Sequence, residues 1–143
     1  MALSATESAY LPNEDATLAF GAALAPRLPP GALVFLHGDL GVGKTTLVRG
    51  ILRGLGHHGP VKSPTYTLLE PYDLPSSLVY HFDFYRIADA EELDFIGLDE
   101  LLESPALKLV EWPERAGSRL PAADVVVRMH VQGEGRRIEL EFR

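Results

Sequence analysis

The chain has 143 residues, of which 46% are hydrophobic and 23% charged, a balance typical of a single soluble globular domain and not of a disordered chain. It contains no cysteine, which excludes disulfides and cysteine-ligated zinc, and no apolar run approaches the roughly 20 residues needed to span a bilayer. Acidic residues outnumber basic ones by 20 to 13, and the formal net charge of −7 disfavours direct binding to nucleic acid. We expect one cytoplasmic domain spanning residues 1–143, because the N-terminus lacks the features of a signal peptide.

The first predicted element is a helix that begins after residues 10–12. Asn13 is a favourable N-cap residue, and Glu14 and Asp15 suit the first turn, where the helix dipole favours negative charge. Apolar side chains recur at helical spacing as far as Leu24. A segment rich in proline then ends the helix and leads into the first predicted strand.

A phosphate-binding motif lies between this short apolar strand, at residues 32–36, and an amphipathic helix. Gly38, Gly43, Lys44 and Thr45 match the pattern G-x-x-x-x-G-K-[ST]. Glycines let such a loop curl until its backbone N–H groups point at phosphate oxygens, while the lysine reaches the β- and γ-phosphates and the threonine hydroxyl binds Mg²⁺. The alternative is a glycine-rich turn with a surface lysine. We expect a nucleoside triphosphate and Mg²⁺ to bind here, along Asp39, Leu40, Gly41, Val42, Gly43, Lys44, Thr45 and Thr46.

The middle of the chain is predicted to form an antiparallel hairpin. Residues 61–70 begin as a loop and become a strand, residues 71–77 form a turn, and residues 78–85 form a second strand rich in β-forming side chains. A helical region follows and is broken at Gly97. The remaining predicted strands lie at residues 107–112, 124–131 and 136–143.

This order of elements predicts an α/β fold. We expect a mixed parallel and antiparallel sheet with helices on both faces, in which antiparallel pairs come from the middle of the chain and from its C-terminus. In such folds ligands bind where the loops at the carboxyl ends of the strands gather. Polar residues that follow apolar strands are therefore the first candidates for a functional site.

Two carboxylates, Asp83 and Glu111, stand at the ends of apolar runs. A nucleotide hydrolase needs hard oxygen ligands for Mg²⁺ and a group that places the attacking water, and both acids suit these roles. Both are equally consistent with ordinary edge or surface acids. Thr65 follows Ser63 and Pro64 in a loop where hydrolases sense the γ-phosphate, and a simple turn is the alternative there.

Five segments in this order and spacing resemble the TsaE family, also called YjeE. The resemblance covers nearly the whole chain, although the C-terminal hairpin is a weaker match. Val42 stands where the family often has alanine, and His58 where it often has glutamine. The matching segments are GDLGVGKTT at residues 38–46, VKSPTYTL at 61–68, HFDFYR at 81–86, EELDFIG at 91–97 and VEWPE at 110–114.

The resemblance implies a P-loop NTPase-like three-layer domain that binds and hydrolyses ATP with Mg²⁺. Family members act with the TsaD and TsaB proteins in making threonylcarbamoyladenosine, the modified adenosine beside the anticodon in tRNAs that read codons beginning with adenine. TsaD and TsaB bind the tRNA and transfer the threonylcarbamoyl group, whereas the ATP cycle of TsaE supports turnover of that complex. We therefore expect contact with tRNA only through these partners, and none with a membrane.

The resemblance also implies roles for individual residues. Lys44 and Thr45 are expected to bind phosphate and Mg²⁺. Glu111 is expected to hold Mg²⁺ directly or through water, and Asp83 to be the second acid beside the metal. Thr65 is the expected switch-like threonine, so that the catalytic set is Asp83, Glu111 and Thr65.

The segments at residues 12–14 and 135–136 are similar to family segments that flank the nucleotide base. This similarity adds Glu14 and Arg136 to the expected nucleotide-binding residues.

The residues leave other functions open. A small P-loop kinase that phosphorylates a metabolite is one, although no arginine-rich lid is evident; a nucleotide-gated binding module that barely hydrolyses is another. Guanine specificity is disfavoured because neither Asn-Lys-x-Asp nor Thr-Lys-x-Asp occurs. Arg86 is a candidate arginine finger, and a structural ion pair is an equally good interpretation.

Overall fold

In the computed structural model, which describes residues 5–64 and 66–143, seven strands form one sheet. The strands are β1 (Ala5–Leu11), β2 (Leu33–His37), β3 (Leu69–Leu74), β4 (Ser77–Asp83), β5 (Leu107–Glu111), β6 (Val125–Gln132) and β7 (Gly135–Phe142). The α-helices are α1 (Glu14–Leu24), α2 (Lys44–Gly54), α3 (Glu92–Phe95) and α4 (Leu98–Glu103), and 3-10 turns span Ala25–Arg27 and Pro113–Arg119. Within the described ranges, no helix combines the length and the apolar character that crossing a membrane requires.

The centre of the sheet is parallel and its two edges are antiparallel. Across the sheet the order is β1-β7-β6-β2-β5-β4-β3, in which β6, β2, β5 and β4 are parallel neighbours. The strand β3 closes one side, and β7 and β1 close the other. His37, Asp83 and Glu111 are the last residues of three parallel strands and so meet at one edge of the sheet. We call this the carboxyl edge; it is where ligands bind in open α/β sheets.

Helices cover both faces of the sheet. The first face carries α1 and α2, whose apolar side chains pack against Leu36, Leu109 and Val127. On the other face, a second cluster joins Phe82 and Val110 to the short helices α3 and α4 and to the Pro113–Arg119 segment. The predicted α/β class, with a mixed sheet and helices on both faces, is therefore confirmed.

Glycines let α1 and α2 pack closely. Gly21 of α1 faces the backbone of α2, and a Cβ atom built on it would lie 2.7 Å from the carbonyl oxygen of Leu47. A Cβ atom on Gly50 would collide in the same way with the carbonyl oxygen of Leu18. The close approach fixes the position of α2, which begins at the phosphate-binding motif.

Several predicted elements are confirmed. The helix α1 begins after Asn13, whose side-chain oxygen accepts a hydrogen bond of 2.9 Å from the backbone N–H of Ala16. The helical region near residue 97 divides into α3 and α4 at Gly97. The C-terminal hairpin forms from β6 and β7.

The edge strand β1 was not predicted. Its side chains are exposed except near the end, so the segment lacks the alternation of apolar and polar residues that marks a half-buried strand. Pairing with β7, from Ala5 opposite Phe142 to Leu11 opposite Arg136, determines its conformation. A strand imposed by its neighbour in this way leaves little local signal.

The turn predicted at residues 71–77 is wrong. The strand β3 continues to Leu74, and only Pro75 and Ser76 separate it from β4. Pro71 lies inside β3 opposite Tyr80, which an edge strand permits because the missing N–H removes no bond to a second neighbour. The predicted antiparallel pairing of the two strands is confirmed.

The contact between α1 and α2 predicts a cost for any side chain at Gly50. Gly50→Ala forces a methyl group against backbone atoms of Leu18, and such overpacking typically costs about 1–3 kcal/mol. Chemical denaturation should show a loss of this size, even though alanine favours a helix. Arg53→Ala, an exposed change in the same helix, is the matched control and should stay within about 0.5 kcal/mol of the parent. Equal stability of the Gly50 and Arg53 variants would contradict the close packing.

Candidate functional site

The phosphate loop, residues 38–46, connects β2 to α2 at the carboxyl edge. Gly43 adopts φ 111°, a left-handed conformation that glycine accepts readily, and this residue immediately precedes α2. Among the residues that the structure describes, no side chain caps the N-terminus of α2, so its first N–H groups can bind an anion. The loop therefore has the conformation expected of a phosphate cradle.

Lys44 is the basic residue of this loop. Its Nζ donates a hydrogen bond to the carbonyl oxygen of Gly38 and lies 3.8 Å from the centroid of the Trp112 ring. Burial lowers the pKa of Lys44 below its ordinary value, while nearby carboxylates, Glu111 foremost, partly oppose this shift. The ammonium is thus held at the loop by a carbonyl dipole and an aromatic face, both of which attract a cation.

Thr45, Glu111 and His81 form a short chain of hydrogen bonds. The hydroxyl of Thr45 donates to Oε2 of Glu111 at 3.0 Å, and Nε2 of His81 lies 2.6 Å from the same oxygen. Glu111 is 3% exposed and His81 is fully buried. The predicted metal residues Thr45 and Glu111 are therefore in contact, and a histidine without a predicted role joins them.

The sequence contained a signal for His81. A polar residue interrupts the apolar strand two positions before Asp83, and residues two apart on a strand share a face. His81 lies within the segment HFDFYR, and no function of its own is predicted for it from the sequence.

Asp83 lies beside Glu111 in the pairing of β4 and β5. Its Oδ1 accepts a bond of 3.0 Å from the N–H of Tyr85, and its Oδ2 accepts one of 3.3 Å from the hydroxyl of Ser63. The structure thus brings the two predicted acids together, with Asp83 tied to the loop that precedes β3.

Lys44, Thr45, Asp83 and Glu111 line one open cleft of about 390 Å³, which we call the phosphate cleft. One hydroxyl and two carboxylates are hard oxygen donors of the kind that Mg²⁺ prefers. Among the described residues, no group of three or more His, Asp or Glu side chains forms a complete metal cage. Mg²⁺ is usually held by one or two carboxylates together with phosphate and water, so the donors present fit this ion.

A smaller pocket of about 190 Å³, the side pocket, lies on the other side of the phosphate loop. It brings together the start of α1 with Glu14, the loop at Val42, and the β6–β7 turn with Arg136. Nε of Arg136 donates to the carbonyl oxygen of Val42 at 2.9 Å, whereas Glu14 lies 3.4 Å from Arg49. Both residues predicted to flank the base therefore line a pocket beside the loop.

The mouth of the phosphate cleft is lined by aromatic and cationic side chains. Trp112 has φ 56°, and its ring packs against that of Tyr85 at a tilt of 44°, with centroids 5.0 Å apart. Arg86 lines the cleft and lies 4.8 Å from the centroid of the exposed Tyr66 ring. Within residues 5–64 and 66–143, Arg86 forms no ion pair.

Thr65, the predicted switch-like threonine, lies outside the described residues, so its role stays a prediction. Asp39, Leu40 and Thr46 lie where the motif predicts, in the phosphate loop and at the start of α2. Leu40 is 68% exposed at the tip of the loop.

The family model described as "Threonylcarbamoyl adenosine biosynthesis protein TsaE" matches residues 11–138, which include every segment of the site. The chain belongs to the TsaE family. The resemblance stated from the sequence motifs is thereby confirmed.

Relatives of this TsaE-family chain agree along most of its length. A protein of Haemophilus influenzae named "tRNA threonylcarbamoyladenosine biosynthesis protein TsaE" is 46% identical over 136 residues, which cover 92% of this chain and 86% of that protein. A Bacillus subtilis protein of the same name is 35% identical over 130 residues, covering 91% and 80%. The crystal structure of Bacillus subtilis YdiB superimposes with a TM-score of 0.82 at 27% identity, covering 99% of this chain and 88% of that one.

Proposed function

We propose that this protein is a Mg²⁺-dependent ATPase that supports the threonylcarbamoyladenosine modification of tRNA. Its relatives are named for the biosynthesis of this nucleoside. The ATPase proposal rests on one observation: Lys44, Thr45 and Glu111 line the same cleft beside the glycine-rich loop, and Thr45 is hydrogen-bonded to Glu111. A cationic group and a hydroxyl at the start of a helix, beside a buried carboxylate at the end of a strand, are parts that phosphoryl transfer uses.

The chain's own residues supply positioning and charge. The N–H groups of the phosphate loop and of the first turn of α2 bind phosphate oxygens, and Lys44 exchanges the carbonyl of Gly38 for the β- and γ-phosphates. Thr45 and Glu111 would hold Mg²⁺, which when bound would supply positive charge to offset that of the phosphate oxygens. Because the Thr45 hydroxyl donates a hydrogen bond to Glu111, its oxygen lone pairs would remain for the ion.

Asp83 is proposed to place the attacking water. It lies beside Glu111 but accepts bonds from the N–H of Tyr85 and the hydroxyl of Ser63, and not from Thr45. This separation suits a division of labour, in which one acid holds the metal and the other orients water. Arg86, at the mouth of the same cleft, is the available cation for charge on the γ-phosphate.

The side pocket is proposed to receive the adenine base. It adjoins the phosphate loop, and Glu14 and Arg136 provide a carboxylate and a guanidinium at its rim. Thr46 lines both the side pocket and the phosphate cleft, so a nucleotide with its base in one and its phosphates in the other would pass this residue.

The protein is proposed to reach tRNA only through the TsaD and TsaB proteins. Five of its ten arginines are paired with carboxylates of the same chain: Arg27 with Glu7, Arg49 with Glu14, Arg119 with Asp94, and both Arg128 and Arg143 with Glu141. Lys44 and Lys108 are buried. With a formal net charge of −7, the surface offers little of the phosphate neutralisation on which RNA binding depends.

Removing the Lys44 charge tests the phosphate site. A hydrogen bond to a charged group is worth about 1.5–3 kcal/mol, so Lys44→Ala should reduce ATP binding or turnover by about ten-fold or more. Nucleotide binding is measured by calorimetry and hydrolysis by phosphate release, and circular dichroism checks the fold. Arg53→Ala, on the same helix and away from the loop, should match the parent. Unchanged turnover by a folded Lys44→Ala protein would reject the site, and turnover that required an added metabolite acceptor would favour a kinase.

Substitution of each acid tests the division of labour. Glu111→Gln should raise the Mg²⁺ concentration needed for half-maximal hydrolysis, because a metal ligand loses its charge. Asp83→Asn should lower the turnover number more than the nucleotide affinity, because water placement acts in the transition state. In Mg²⁺ titrations at saturating ATP, each of the two variants serves as the control for the other. A Mg²⁺ titration that Glu111→Gln leaves unchanged would show that Glu111 is not the ligand.

The partner requirement predicts two binding results at about 0.15 M salt. The isolated protein should show no tRNA binding at micromolar concentration, while its affinity for the TsaD–TsaB complex should differ between ATP and ADP, as expected if the loop with Thr65 senses the γ-phosphate. Fluorescence anisotropy of labelled tRNA and calorimetry with the complex measure these quantities. Tight, salt-sensitive binding of tRNA by the isolated chain would contradict the first expectation, and equal affinities in the two nucleotide states would contradict the second.

A further inference from the structure

His81 is a fully buried histidine that the proposed reaction does not use directly. It lies in β4, and its Nε2 is 2.6 Å from Oε2 of Glu111. The other ring nitrogen, Nδ1, has no hydrogen-bond partner among the described residues. Nε2 thus contacts the Glu111 carboxylate at the proposed metal site, whereas Nδ1 contacts no polar group that the structure describes.

This asymmetry determines where the proton lies. A buried N–H without an acceptor is costly, whereas a bare ring nitrogen without a donor leaves only a lone pair unused. A proton on Nε2 satisfies the short contact by donation to Glu111, while a proton on Nδ1 would be stranded. Nε2 is therefore the donor, and Oε2 accepts from both His81 and Thr45.

Packing alone does not account for a histidine here. The neighbours of His81 are fully buried apolar residues of the core beneath α2. They are Val79, two residues earlier on β4, and Leu109, which pairs with His81 on β5. An aliphatic residue would suit that environment, and replacement of a buried polar pair by apolar side chains is often neutral or stabilising. The short bond to Glu111 is the distinctive contact of this side chain.

We propose that His81 is a positioning residue for the magnesium site. It holds the Glu111 carboxylate so that Oε2 is shared by two donors and Oε1 keeps its lone pairs for the ion or a water bound to it. This inference rests on the proposed function, in which Thr45 and Glu111 hold Mg²⁺. A group that orients a metal ligand in this way typically changes metal affinity by about 10–100-fold when it is removed.

Two substitutions separate the hydrogen bond from the volume of the ring. His81→Leu removes the donor at similar size, and His81→Gln keeps an N–H donor that reaches the position of Nε2. Calorimetry with a non-hydrolysable ATP analogue, with and without Mg²⁺, measures how much the ion strengthens nucleotide binding. We expect His81→Leu to raise the Mg²⁺ requirement about ten-fold or more without changing metal-free nucleotide affinity, and His81→Gln to stay within about three-fold of the parent.

A matched control removes a histidine–glutamate contact away from the metal. His130 lies 2.9 Å from Glu139 on the exposed part of the same sheet, so His130→Leu should leave the Mg²⁺ requirement unchanged. Long-range proton–nitrogen NMR of the parent protein provides a test that needs no ligand and no variant. It should show the His81 proton on Nε2.

The outcomes distinguish this inference from the function on which it rests. If nucleotide binding and hydrolysis by the parent protein do not depend on Mg²⁺, the proposed function itself is wrong. A parent that depends on Mg²⁺, together with a His81→Leu protein that has the same dependence, defeats the positioning role alone. The positioning role is also wrong if His81→Gln is as impaired as His81→Leu, or if the His81 proton is found only on Nδ1. If the leucine variant fails to fold, the glutamine variant and the NMR result test the positioning role.

Discussion

A buried negative charge, the carboxylate of Glu111, is the constraint on which the site depends. An ionised carboxylate that is 3% exposed is tolerated only when donors and opposite charge surround it. Here Thr45 donates to one oxygen, Nε2 of His81 lies 2.6 Å from the same oxygen, and the ammonium of Lys44 lies in the same cleft. These groups come from three places in the chain, so the whole arrangement exists only when the sheet is assembled.

The parallel centre of the sheet meets this requirement. Because β5 lies between β2 and β4, the residue at its end is flanked by the loop that follows one neighbour and by the side chains of the other. The close contact of α1 with α2 then fixes the height of the phosphate loop above that edge. Helix packing and strand order thus act together on the position of a single carboxylate.

How much of this was predictable depends on how local each signal is. The phosphate loop was predictable because its glycines, lysine and threonine are consecutive, and Glu111 and Asp83 because each ends an apolar run. Family resemblance, and not local chemistry, pointed to Glu14 and Arg136, which are far apart in sequence and meet only in the fold. The role of His81 was missed because its contact with Glu111 depends on the pairing of β4 with β5.

The fold was missed in two places for the same physical reason. The strand β1 is held by hydrogen bonds to β7 and shows no apolar alternation of its own, and Pro71 suggested a turn because its position at a sheet edge could not be known from the sequence. An edge strand pairs on one side only, so it tolerates proline and needs less apolar alternation than a central strand. Its sequence therefore indicates a strand less clearly.

The pairing of Ala5 with Phe142 brings the first and last described strands side by side. The described ends of the chain lie on neighbouring strands, about 5 Å apart as in any antiparallel pair, at the sheet edge opposite the phosphate loop. The turn at Pro75 and Ser76 lies at that same far edge, because β4 begins there and runs towards the cleft. A circular permutant that joins these described ends by a short linker and opens the chain at this turn changes the order of synthesis while leaving every residue of the site in its original helix, strand or loop.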